Sequence, residues 1–214
     1  MRPKTHKLSS IIKKNTFTLW LHAGDSISED NHCTEGYPNY LRLADNVLRP
    51  VFSKKKYSIF NTAVGGRKLA DEVLVLNDKL HKFQPDFISL MFGMNDSAAG
   101  SAALDEFIIN LRKTADILKE YAKPCVFFTQ NPLDYRCDIK AINCRKDYPL
   151  FAKAVTATCI KEKIPLVDIY TQWKAEVLEK DNNEHFKLMH DAVHPNHKGH
   201  EYIFQIIRKK ILGV

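Results

Sequence analysis

Phe17-Thr18-Leu19-Trp20-Leu21-His22-Ala23 runs directly into Gly24-Asp25-Ser26. Seven residues dominated by apolar and aromatic side chains read as a buried strand, and the Gly-Asp-Ser triplet reads as the turn that ends it. The same pattern recurs downstream. Tyr57 to Phe60 leads into Asn61 and the pair Gly65-Gly66, and Phe87-Ile88-Ser89-Leu90-Met91-Phe92 stops at Gly93. Cys125-Val126-Phe127-Phe128-Thr129 opens a polar stretch to about Asp147, and Leu166-Val167-Asp168-Ile169 makes a fifth run.

Helical periodicity fills the intervals. Tyr37 to Leu48 places Tyr40, Leu43, Ala44, Val47 and Leu48 on one face. Leu69 to Phe83 carries Leu69, Val73, Leu76 and Leu80, and Leu104 to Tyr121 carries Phe107, Ile108, Leu111, Ala115 and Leu118. Residues 148–162, a short segment around Trp173 and a terminal segment from about His197 to Leu212 also read as helices. Short apolar strands alternating with helices predict right-handed crossovers and a parallel five-stranded sheet covered on both faces, an α/β fold. In such a sheet the ligand site lies at the carboxyl ends of the strands.

Composition agrees with one globular domain. The 214 residues are 44% apolar and 27% charged, with 8 Gly and 9 Pro, which excludes disordered, collagen-like and disulfide-scaffold chains. Residues 17–214 are expected to form a single domain and residues 1–16 a basic N-terminal arm. Arg2, Lys4, Lys7, Lys13 and Lys14 supply +5 of the +7 net charge, so the body carries only +2. A solvated arm explains that excess, and no nucleic-acid partner is expected. The five cysteines form no C-x-x-C pair, which points to reduced thiols, although Cys137 and Cys144 share one loop. No secretory leader is visible and no apolar run approaches the ~20 residues of a membrane span, so a cytoplasmic location is expected.

Polar residues of the right types gather at the predicted strand ends. A serine hydroxyl is a weak nucleophile that needs a base beside it. Ser26 is the candidate nucleophile and His194 the candidate base, since an ordinary imidazole is mostly neutral at pH 7. Asp191 lies three residues earlier, one helical turn from His194, where it can orient the ring and stabilise its charged form. The oxyanion of an acyl-transfer intermediate needs donors, for which the backbone N–H groups of Ser26 and Gly66 and the Asn95 amide are candidates. No cofactor is required by this chemistry.

These residues fall into four ordered motifs: Gly24-Asp25-Ser26-Ile27-Ser28, Asn61-Thr62-Ala63-Val64-Gly65-Gly66, Gly93-Met94-Asn95-Asp96, and Asp191-Ala192-Val193-His194-Pro195-Asn196. Together they resemble the SGNH hydrolases, the GDSL-type lipases and esterases, over residues 19 to about 200. The resemblance implies a flavodoxin-like three-layer α/β/α sandwich, metal-free ester hydrolysis, and an oxyanion glycine at Gly66.

Rival readings are weaker. His185, His190, His194, His197 and His200 crowd one stretch, but no His-Glu-x-x-His occurs and a spacing of three drifts around a helix, so no catalytic metal is expected. Cys33 lacks any motif of a reactive thiol. A binding module without chemistry would not need the full set of Ser26, Asn95, Asp191 and His194. Loops 27–38 and 130–147 are expected to wall the site. They are polar, with Asn131 and Tyr135 in the second and Arg67 at the rim as candidate substrate contacts. That favours a small-molecule or glycan ester bearing a short acyl group such as acetyl. A general short-chain esterase, a lysophospholipase or a thioesterase are the alternatives.

Overall fold

The computed structural model describes residues 6–30, 32–52, 56–136 and 139–214. Its centre is a five-stranded, all-parallel sheet in the order β2-β1-β3-β4-β5. The strands are β1 (Phe17–Gly24), β2 (Lys56–Asn61), β3 (Phe87–Met91), β4 (Cys125–Phe128) and β5 (Leu166–Val167). β1 is wedged between β2 and β3, and β3 and β4 are buried along their whole length. This is why they read as continuous apolar runs rather than alternating ones. The chain steps from β1 to β2 on one side and then returns past β1 to β3, so the strand order reverses at β1. Right-handed crossovers therefore place the intervening helices on opposite faces, and the crevice for a ligand opens at the carboxyl ends of β1 and β3.

The helices are α1 (Leu8–Lys14), α2 (Tyr40–Val51), α3 (Leu69–Phe83), α4 (Leu104–Tyr121), α5 (Ile139–Arg145), α6 (Tyr148–Glu162), α7 (Ile169–Trp173), α8 (Asn182–Lys187) and α9 (His197–Ile207). α3, α4 and α6 pack side by side as one layer, and α2 packs with α9 in the other. α3, α4 and α6 begin and end where the periodicity places them. α2 starts later than Tyr37 because Asn39 caps it, its side-chain oxygen accepting from the N–H groups of Leu41 and Arg42 at 3.0 Å. β5 stops before Ile169 because the Asp168 carboxylate accepts from the Thr171 N–H at 3.1 Å and starts α7. α5 falls in the stretch expected to be loop, and α8 has no counterpart in the periodicity. Each is seven residues or fewer, too short to show an apolar stripe and dependent on tertiary contacts to form.

Part of the stretch expected to be an N-terminal arm, residues 7–14, packs against the rest of the chain. Leu8 and Ile12 of α1 are buried in the core. The Lys7 ammonium donates to the carbonyls of Lys209 and Lys210 at 2.9 and 3.0 Å, and Ser9 Oγ to that of Gly213 at 3.1 Å. Residues 7–14 are thus tied to the C-terminal turn of the domain. The sequence shows only their charges because three apolar residues in seven, of which Leu8 and Ile12 are buried, make too narrow a stripe to notice.

Candidate active site

Ser26 stands immediately after β1, where a turn closes behind it. The Asp25 carbonyl accepts from the N–H groups of Ser28 (2.9 Å) and Glu29 (3.1 Å), and the Asp25 carboxylate accepts from the Ile27 N–H at 3.0 Å. The side chain is mostly enclosed, and its Oγ lies 2.9 Å from His194 Nε2. On the far side of the ring, Nδ1 lies 2.8 Å from Asp191 Oδ2. The other carboxylate oxygen of Asp191 accepts the N–H groups of Val193 and His194, both at 2.7 Å. Partial burial pushes this carboxyl up, but hydrogen bonds from the His194 ring and from these two backbone groups outweigh it and hold the carboxyl well below the usual range. An ionised Asp191 fixes the proton on Nδ1, leaving the Nε2 lone pair to accept from the serine hydroxyl.

The Asp191–His194 juxtaposition is not made by a helix, as the spacing suggested. It is a closed turn ahead of α9. His190 N–H donates to the His194 carbonyl at 2.8 Å, and Met189 and Pro195 form an antiparallel bridge. Asn196 finishes the turn, capping α9 through Oδ1 and donating its amide to Lys187 O and Met189 O. Asn131 clamps it from the strand side, its amide donating to Val193 O at 2.9 Å.

Gly65 and Gly66 are the central residues of a turn in which Arg67 N–H donates to Val64 O at 3.1 Å. Gly66 has φ +76, the left-handed conformation that the third position of a type II turn demands, and a Cβ there would meet nothing within 4 Å. Among the described residues, the N–H groups of Ser26 and Gly66 have no hydrogen-bond acceptor and are free for a ligand oxygen. Asn95 approaches from the end of β3. Its amide donates to Asp25 Oδ2 at 3.2 Å and to Arg67 O at 3.3 Å, both long bonds that an oxyanion can replace.

Asp25 is fully enclosed and takes a larger part than turn formation. Gln130 Nε2 donates to its two carboxylate oxygens at 3.0 and 2.9 Å, while Gln130 Oε1 accepts the Met94 N–H at 2.7 Å. Burial pushes the Asp25 carboxyl up to about 6 despite these donors. Gln130 thus joins the ends of β1 and β3 beneath the site. Sequence reasoning missed it, although its position directly after Thr129, at the end of β4, was a signal.

The substrate-binding expectations divide. Tyr135 is half exposed and adjoins Asp134, whose N–H donates to Ala192 O beside the His194 turn. Asn131 is completely buried, so it braces the turn instead of meeting a substrate. Arg67 points to the buried Glu72 at 2.8 Å, where Lys79 also pairs, so its guanidinium is held by the protein rather than turned to a substrate. The clustered histidines disperse. His185 accepts from the Trp173 indole and faces Leu133 O, and His200 is buried against Tyr40. Cys137 lies outside the described residues, and Cys144 carries a free thiol. Burial and the charge of Asp191 push the Cys33 thiol up to about 11, which leaves it a poor nucleophile.

A reversing parallel sheet with a Ser–His–Asp chain at its rim defines a serine hydrolase of the flavodoxin-like kind. Residues 23–202 match the GDSL-like lipase/acylhydrolase family, and the chain belongs to that family; it is a carboxylic ester hydrolase. Solved structures share the fold at low identity. Axe2, an acetylxylan esterase from Geobacillus stearothermophilus, superposes with a TM-score of 0.73 at 18% identity, covering 100% of this chain and 97% of its own. A mutant described as an acetyl-xylooligosaccharide esterase gives 0.74 at 19%, covering 92% and 94%. LAE5, an alpha/beta hydrolase from the metagenome of Lake Arreo, Spain, gives 0.70 at 17%, covering 90% and 94%. No curated protein sequence matches the chain. No helix among the described residues is long and apolar enough to cross a membrane.

Proposed function

We propose that the protein removes acetyl groups from carbohydrate esters through an acyl-enzyme on Ser26. The observation that carries the reading is the continuous hydrogen-bonded chain from Ser26 Oγ through His194 to Asp191, set beside unengaged backbone N–H donors. As Ser26 Oγ bonds to the ester carbon, its proton passes to His194 Nε2, and Asp191 stabilises the imidazolium. The carbonyl oxygen, now negative, takes the N–H groups of Ser26 and Gly66 and the Asn95 amide. The intermediate collapses, breaking the carbon–alkoxy bond, and His194 returns its proton to the leaving alcohol. Water, deprotonated by the same imidazole, then attacks the acyl-enzyme and releases acetate and free Ser26.

The preference for a short acyl group rests on the surroundings. A long acyl chain needs an apolar trench beside the nucleophile, whereas the described residues around the Ser26–His194 pair include the polar Asp191, Asn95 and His32. Tyr135 is half exposed and follows Asp134, whose N–H donates to Ala192 O, and an exposed aromatic ring of this kind suits the apolar face of a sugar. The acetylxylan esterases of the same fold make acetylated xylan fragments the natural first substrates to try.

The test is acetate release from acetylated xylooligosaccharides, run beside p-nitrophenyl acetate, butyrate and octanoate. The proposal predicts turnover that falls with acyl length and a kcat/KM on the acetylated oligosaccharide at least equal to that on p-nitrophenyl acetate. Faster hydrolysis of octanoate than of acetate would refute it in favour of a lipase or lysophospholipase.

A further inference from the structure

We infer that His32, Cys33 and His194 form an inhibitory zinc site that takes the imidazole away from Ser26. One ligand atom from each of these residues lies within 4.8 Å of the other two. The His32 and His194 rings lie with centroids 4.6 Å apart, tilted 60° to one another. Adjacent side chains on an extended segment point to opposite sides, so His32 and Cys33 would ordinarily diverge. The chain instead turns through a left-handed conformation at Cys33, φ +56, which brings both side chains to the His194 side. The next residue, Thr34, is buried, and its carbonyl accepts the Tyr37 N–H at 2.9 Å, closing the turn that follows.

Two imidazoles and a thiolate are a zinc donor set, and they exclude the hard cations magnesium and calcium. Tetrahedral zinc with bonds of about 2.0–2.3 Å holds its ligand atoms about 3.4–3.7 Å apart. Closing from within 4.8 Å to that spacing needs side-chain rotation of about an ångström and no movement of the sheet. Three protein ligands leave the fourth position to water. On binding, the Cys33 S–H bond breaks, its proton goes to solvent, and a zinc–sulfur bond forms. Both nitrogens of His194 are engaged, one with Ser26 and one with Asp191. Whichever nitrogen zinc takes, the base loses either its nucleophile or its orienting carboxylate. That consequence rests on the proposed hydrolytic role of His194, whereas the coordination itself does not.

The full-length protein is titrated with zinc, and two quantities are followed. Calorimetry measures zinc binding, and p-nitrophenyl acetate hydrolysis measures inhibition and its reversal by a chelator. The expected result is one zinc per chain, inhibition at the same concentration as binding, and full recovery on chelation. Partners outside a metal's ligand shell are worth about 10–100-fold in affinity and a ligand no less, so His32→Ala and Cys33→Ser should each raise the half-inhibitory concentration about tenfold or more, relative to the variant's own metal-free rate. Cobalt in place of zinc gives a thiolate charge-transfer absorption that Cys33→Ser abolishes and His32→Ala does not. Inhibition equal in wild type and both variants, or no zinc binding by calorimetry, overturns the inference. Zinc binding that depends on His32 and Cys33 in a protein without esterase turnover overturns the hydrolytic reading and the inhibitory consequence, and leaves the metal site standing.

Discussion

Replacing Asp191 by Asn isolates the orienting carboxylate from the rest of the site. The Asn carbonyl can still accept the Val193 and His194 N–H groups that Asp191 now holds at 2.7 Å, so the turn survives. The Asn NH₂ would then face His194 Nδ1 across 2.8 Å and force the proton onto Nε2. An imidazole in that tautomer cannot accept the Ser26 proton. In a fully buried triad the same change costs about 10⁴ in kcat. The Asp191 side chain is 45% exposed, so water partly replaces it, and a loss of about 10²–10³, or ~2.7–4 kcal/mol of barrier, is expected here. KM should change little, because Asp191 does not face the ester. Asp191→Ala should lose a similar factor in kcat and, by removing the cap of the turn, about 1 kcal/mol of stability as well. Initial rates on p-nitrophenyl acetate at neutral pH, with urea unfolding of each variant, measure both effects. If both variants stay within about tenfold of wild type, Asp191 is not the orienting group and the reasoning fails.

Asn95→Ala should lower kcat by about 10²–10³ with the fold intact, as expected for one oxyanion donor; an unchanged kcat would leave the oxyanion to Ser26 and Gly66 alone. Burial pushes the Asp96 carboxyl up to about 7, against an ordinary value of 3.8 and despite the Leu69 N–H that it accepts. Its unfolded form ionises first, so its penalty on folding begins near pH 4 and is complete, at up to about 4 kcal/mol, above pH 7. Asp96→Asn keeps an acceptor for Leu69 and removes the charge. Its Tm relative to wild type should therefore rise between these limits, and a flat difference would contradict the assignment. Ile12→Ala, in the buried face of α1, should cost about 2–4 kcal/mol in urea unfolding, whereas no loss would mean that α1 is undocked in solution.

Much of the architecture is written in local pattern. β3 and β4, buried on both faces, show as unbroken apolar runs, and α3, α4 and α6 show as stripes, because each element's burial is settled by its own residues. The strand-end rule then gathers Ser26, Gly66 and Asn95, and the motif order brings His194 and Asp191 to them. What the sequence hides is tertiary. Asn131 looks like a substrate contact until its amide is seen holding Val193 O, and Arg67 looks free until Glu72 is found buried beside it. The bond from Gln130 to Asp25 spans 105 residues, and no local spacing predicts it. His32 likewise meets His194 only because the chain turns at Cys33.

The most direct test of the central claim is to trap the acyl-enzyme. The protein is mixed with p-nitrophenyl acetate, quenched in acid within the first turnovers, and mapped by peptide mass spectrometry. The account predicts one acetyl group, on Ser26, absent from Ser26→Ala, whose turnover falls by about 10⁴-fold or more. Acetyl found on another residue, or a Ser26→Ala variant that hydrolyses the ester at the wild-type rate, would contradict it.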